Sequence, residues 1–144
     1  MTDSVVNIAQ VPAAPGPAPK KYKASLYGSV DPLPDEFVAA IQSLEADLGY
    51  PIWMLIQNGD KGDWCNITYG IYQAFLKVKT EIEEKKPVGL LLHSPGGDAE
   101  QAYRIIRLFQ RRTDKFATIV PLYAKSAATL MAVGGNPIVM GKEA

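Results

Sequence analysis

The chain holds one cysteine, Cys65, and one histidine, His93, in 144 residues. A lone cysteine closes no internal disulfide, and this pair is too small a set for a zinc site built of several Cys or His ligands, so no metal is expected. Surplus charge is also lacking. Fifteen Lys and Arg balance fifteen Asp and Glu, and no long-range field of one sign draws the molecule to nucleic acid or to an anionic membrane. No apolar run approaches the roughly 20 residues that span a bilayer. The Met1-Thr2-Asp3-Ser4 start lacks the basic residues and apolar stretch of a secretion signal. A cytoplasmic protein is therefore expected, with no nucleic-acid partner and no membrane segment. The G-x-G-x-x-G fingerprint and the G-x-x-x-x-G-K-[ST] phosphate loop are absent as well, which disfavours nucleotide sites of those types and leaves no cofactor to expect.

What is present has the composition of one globular core, with 47% apolar and 21% charged residues. Residues 1–20 are set apart by Val-Pro-Ala-Ala-Pro-Gly-Pro-Ala-Pro at 11–19, an extended tail with little to bury. The folded domain is expected over 21–144. Its pattern predicts a strand at Ala24–Val30, a turn, and a helix over Asp35–Leu48 with Phe37, Val38, Ile41, Leu44 and Leu48 on one face. Pro51–Gln57 reads as a buried strand running into a turn-rich loop. A helix is predicted over Ile67–Lys85, with Ile67, Ile71, Phe75, Val78 and Ile82 forming its stripe. Val88–Leu92 is a strand, a helix starts near Asp98 with Ala99, Ala102, Tyr103, Ile106 and Phe109 on one side, and Phe116–Val120 is a strand. Ser126–Val133 reads as a small-residue helix, and Pro137–Met140 opens a last strand. This alternation predicts an α/β fold with a mainly parallel sheet flanked by helices.

Two places carry chemistry. Ser94-Pro95-Gly96-Gly97-Asp98 joins a strand to a helix, and two glycines there let the backbone approach a ligand and turn N–H groups into a cleft beside a helix N-terminus. A tight turn with an N-capping Asp explains the same residues. Ser126 lies where a second strand passes into the alanine-rich helix. A serine there is placed to act as a nucleophile, with the N–H of Ala127 available to an oxyanion, and it is equally placed to cap the helix.

The two blocks in order, Leu-Leu-Leu-His-Ser-Pro-Gly-Gly-Asp-Ala at 90–99 and Val-Pro-Leu-Tyr-Ala-Lys-Ser-Ala-Ala-Thr-Leu at 120–130, resemble the Clp peptidase/crotonase-like superfamily. Within it the chain is most similar to the serine dehydrogenase proteinase family, loosely from Tyr27 to Gly141. The resemblance implies repeated β-β-α units and a serine peptidase acting on peptide or protein through an acyl-enzyme. Ser126 would be the nucleophile, and Gly96, Gly97 and Ala127 would form the oxyanion hole. It also implies a homo-oligomer, a possible ATPase partner and a longer domain, so that these residues are an N-terminal fragment with an incomplete sheet and the general base lies beyond Ala144. Within the chain, Lys125 and His93 are the supporting candidates, and a Cys65–His93 thiol dyad is a weaker one because Cys65 reads as part of a polar loop beside Trp64. Arg104, Arg107 and Arg111 read as a solvated or subunit-facing helix face. A non-catalytic assembly subunit and a crotonase-like acyl-CoA enzyme are the alternative functions.

Overall fold

The computed structural model describes residues 33–58 and 65–144. The tail at 1–20, the expected strand at Ala24–Val30 and most of the loop after residue 58 lie outside the described residues.

Helices and strands alternate singly: α1 (Asp35–Leu48), β1 (Ile52–Ile56), α2 (Tyr69–Lys77), β2 (Val88–His93), α3 (Ala99–Arg112), β3 (Phe116–Val120), α4 (Ala127–Val133) and β4 (Ile138–Met140). The four strands form one parallel sheet in sequence order, with Ile52 opposite Gly89, Val88 opposite Phe116 and Thr118 opposite Ile138. Two isolated parallel bridges, Ser94 with Ala124 and Ile67 with Gly97, lie outside the named strands.

Side-chain alternation in the strands decides which helix covers which face. Ile52, Leu91 and Ile119 point to one side and pack with Ile41 of α1. Val88, Leu90, Leu92, Phe116 and Val120 belong to a larger core with residues of α2, α3 and α4. At the centre of that core Phe109 is fully buried, stacked on Phe116 at a centroid distance of 5.0 Å and edge-on to Phe75 at 5.7 Å. Burial on both faces is why the strands read as unbroken apolar runs.

Three expectations shift. The predicted helix over Ile67–Lys85 is α2 alone followed by a 3₁₀ turn at Lys79–Glu81. Ile67 and Ile82 are buried as expected, at 1% exposure each, yet Ile67 sits before α2 in the bridge to Gly97, so tertiary pairing overrode helical periodicity there. On α3 the buried positions are Gln101, Ala102, Ile105, Ile106 and Phe109. Tyr103 is exposed, because the stripe is centred one residue further round the helix. Cys65, read as part of a polar loop, is buried.

Candidate active site

In an all-parallel sheet the carboxyl ends of the strands share one edge, and the loops leaving them meet there. Here three such loops are tied together by backbone hydrogen bonds. Ile67, beyond β1, donates its N–H to Gly96 O at 2.7 Å, and its own carbonyl accepts from Asp98 N–H at 2.9 Å. Ser94, just past β2, donates its N–H to Tyr123 O at 3.3 Å and accepts from Lys125 N–H at 3.0 Å. The Gly-Gly turn is thus held between the segment leading to α2 and the segment leading to Ser126.

Both glycines have φ values that side-chain-bearing residues rarely adopt, +109° at Gly96 and +139° at Gly97. Space is closed to a side chain too. A β-carbon on Gly97 would meet Ile67 N and O at 2.5 Å, and one on Gly96 would meet Ser126 Cβ at 2.7 Å and Ala127 N at 3.1 Å. The Gly96 contacts bring together the two sequence blocks at 90–99 and 120–130. Asp98 does cap α3, its Oδ1 accepting from the N–H groups of Glu100 at 2.8 Å and Gln101 at 3.2 Å. The turn chemistry and the close approach are therefore both real.

Ser126 precedes α4 with φ +53° and ψ −125°, and its side chain makes no capping hydrogen bond. These angles are those of the first central residue of a type II′ turn, a place glycine normally takes. The cap reading of Ser126 fails on that point. Its side chain is exposed, whereas Ala127 and Ala128 behind it are buried. Gly96 N–H is occupied, donating to Ser94 Oγ at 3.1 Å. The N–H groups of Gly97 and Ala127 donate to no acceptor among the described residues.

This apposed turn and serine fall inside the segment, residues 65–140, that matches the family model described as Clp protease. The matched segment is just over half of the chain. The chain belongs to the Clp protease family. Two proteins of the archaeon Methanocaldococcus jannaschii are similar to it: the uncharacterized protein MJ0137, 31% identical over 78 residues, and the uncharacterized protein MJ1495, 29% identical over 97 residues. The first match covers 54% of this chain and 27% of that protein, the second 67% and 30%. The chain thus spans under a third of the length of either relative. Its four-stranded parallel sheet with helices on both faces fits the Clp and crotonase-like fold.

The remaining candidates of this Clp-family chain are placed less centrally. Lys125 is exposed, and its Nζ lies 4.8 Å from the centre of the Tyr123 ring. His93 ends β2 on the α1 side of the sheet, with its ring 4.1 Å from that of Tyr123. There it lines an apolar groove of about 430 Å³ with Phe37, Leu44, Ile56 and Pro121. No hydrogen bond joins either side chain to Ser126, or Cys65 to His93, among the described residues. Arg104 pairs with Glu100 and lies over the Tyr72 ring, and Arg107 donates to Gln110 Oε1 at 3.1 Å. No group of three or more His, Cys, Asp or Glu able to hold a metal occurs among the described residues. None of their helices is long and apolar enough to cross a membrane.

Two residues of the site escaped the sequence reading. Ser94 is fully buried and donates to Gln57 Oε1 at 2.6 Å. In the sequence pattern Ser94 belongs to the turn motif and Gln57 to the end of an apolar strand. The available signal is a polar residue just past the end of each strand.

Proposed function

We propose that this chain is the nucleophile-bearing part of a serine peptidase of the serine dehydrogenase proteinase type. The observation that carries the reading is the contact of Gly96 with Ser126 and Ala127. Such packing sets backbone N–H donors beside a serine hydroxyl, an arrangement suited to acyl transfer. Ser126 Oγ attacks the carbonyl carbon of a peptide bond, and the negative charge gathering on the carbonyl oxygen is met by N–H donors already in place. Gly97 and Ala127 are the donors with no other acceptor among the described residues, while Gly96 serves by its lack of a side chain. Collapse of the tetrahedral species expels the amine, which takes up the proton removed from Ser126, and leaves an ester on Ser126, which water then hydrolyses to the free acid and the serine hydroxyl. A strained strand-to-helix turn is a recurrent means of presenting such a hydroxyl.

The proton of Ser126 needs an acceptor. Lys125 is exposed, and a lysine becomes a base only where burial disfavours its charge. His93 faces the α1 groove. The general base therefore comes from outside the described residues, consistent with relatives more than three times the length matched here. A peptide substrate in extended form fits beside the turn by backbone pairing. The whole protein works as a cytoplasmic homo-oligomer, with or without an ATPase partner.

A fluorophosphonate probe applied to the full-length protein tests the reading. Covalent labelling should occur and should vanish in Ser126→Ala. Labelling that persists in that variant removes Ser126 from the role. That no hydrogen bond joins His93 or Lys125 to Ser126 among the described residues favours, as a second reading, a non-catalytic assembly subunit, which would show no labelling at all.

A further inference from the structure

Ser94 holds both halves of the site at once. Its backbone brackets Ala124, through Ser94 N–H to Tyr123 O and Lys125 N–H to Ser94 O, one residue short of Ser126. Its side chain reaches the other half. The hydroxyl accepts the Gly96 N–H at 3.1 Å and gives its own proton to Gln57 Oε1 at 2.6 Å. Ser94 is 0% exposed and Gln57 5%, so water does not compete for these bonds, and bonds in such surroundings are strong and directional. Gln57 is anchored in turn, since its N–H donates to His93 O at 2.8 Å.

We infer that Ser94 and Gln57 are positioning residues that fix the peptide entering the Gly96-Gly97 turn through the chain Gly96 N–H to Ser94 Oγ–H to Gln57 Oε1, and so help to aim the Gly97 N–H. The inference rests on the reading of Ser126 as a peptidase nucleophile. Two successive glycines have the widest conformational freedom of any dipeptide, and left to themselves they would carry the Gly97 N–H through many directions. Ile67 N–H on Gly96 O at 2.7 Å holds the Gly96-Gly97 peptide itself, and the preceding Pro95-Gly96 peptide is held by the Ser94 hydroxyl. That hydroxyl takes the Gly96 N–H out of use as a donor and leaves Gly97 N–H as the group aimed at substrate. An oxyanion donor misplaced by about 1 Å loses much of its effect on rate. Neither residue touches substrate in this arrangement; each acts through the turn.

The experiment measures the second-order rate of fluorophosphonate labelling at Ser126 in the full-length protein, together with hydrogen exchange of the Gly96 amide by NMR. Ser94→Ala and Gln57→Leu should each slow labelling on the order of 10- to 100-fold. Exchange at Gly96 should accelerate in both, and each variant should keep a cooperative melting transition. Ser94→Thr, which retains the hydroxyl, should recover most of the rate. If Ser94→Ala does not fold, Gln57→Leu carries the same test from one residue further out. Wild-type labelling rates with unchanged Gly96 exchange in the two variants overturn the inference and leave Ser126 as nucleophile. If the wild-type protein is not labelled, the peptidase reading fails. Gly96 exchange then decides the rest: faster in Ser94→Ala upholds the hold of Ser94 on the turn, and unchanged refutes it.

Discussion

A β-carbon on Gly96 would lie 2.7 Å from the β-carbon of Ser126, closer than two such atoms ever approach. Only hydrogen at that position lets the turn after β2 and the entry to α4 share one site. Residues far apart in the chain thereby become neighbours in the candidate active centre.

Gly96→Ala tests that closeness. The new methyl would press on Lys125 O at 2.5 Å and on Ser126 Cβ, at a φ of +109°. Backbone strain and overpacking together should cost at least about 3 kcal/mol. Gly49→Ala is the control, because Gly49 ends α1 at φ +77° with nothing within 4 Å. It should cost about 1–2 kcal/mol, from conformation alone. Urea denaturation of both variants gives the comparison, and equal costs would deny the special packing of Gly96.

Ser126 should be held in place against its own preference. With φ +53° and no capping bond, replacement by glycine relieves strain, so Ser126→Gly should gain about 0.5–1 kcal/mol while abolishing probe labelling. Stability and function are opposed at this residue. A loss of stability in the same denaturation assay would mean that the hydroxyl makes a structural contact.

Asp98 anchors the helix that follows the turn. Asp98→Ala removes the acceptor for the N–H groups of Glu100 and Gln101 and should cost about 1 kcal/mol. Asp98→Asn keeps a side-chain oxygen and should cost less than half of that. Thermal melts of the two variants separate a capping role from a purely electrostatic one.

Phe109 is where the core on the α3 side is most sensitive. Fully buried and in ring contact with Trp53, Phe75 and Phe116, it should cost about 3–5 kcal/mol when replaced by alanine. Tyr103 on the same helix is exposed, at 54%, and Tyr103→Ala should fall within about 0.5 kcal/mol of the parent. Chemical denaturation midpoints check the contrast.

Much of this was legible beforehand for local reasons. Asp35–Leu48 and Phe116–Val120 form the elements their patterns predict, because helical periodicity and a β-rich apolar run are properties of neighbours in the chain. The Gly-Gly turn was legible as a turn, and Ser126 as the residue before a helix. Whether that serine caps or projects was open, since both uses employ the same residue at the same position. Ile67 was misread for a related reason: its spacing to Ile71 is helical, while its partner is the backbone of Gly97.

By itself, then, the amino-acid order determined an alternating α/β chain, a strand-bound glycine turn and a serine poised before a small-residue helix. The tertiary structure decided that Gly96 rests on Ser126, that Ser126 is strained and uncapped, and that Ser94 and Gln57 are bonded behind the turn. It also placed His93 beside Tyr123 on the α1 side. The physical reason is range: propensity and pattern act between near neighbours, whereas these contacts exist only once parallel strands bring their carboxyl ends to one edge.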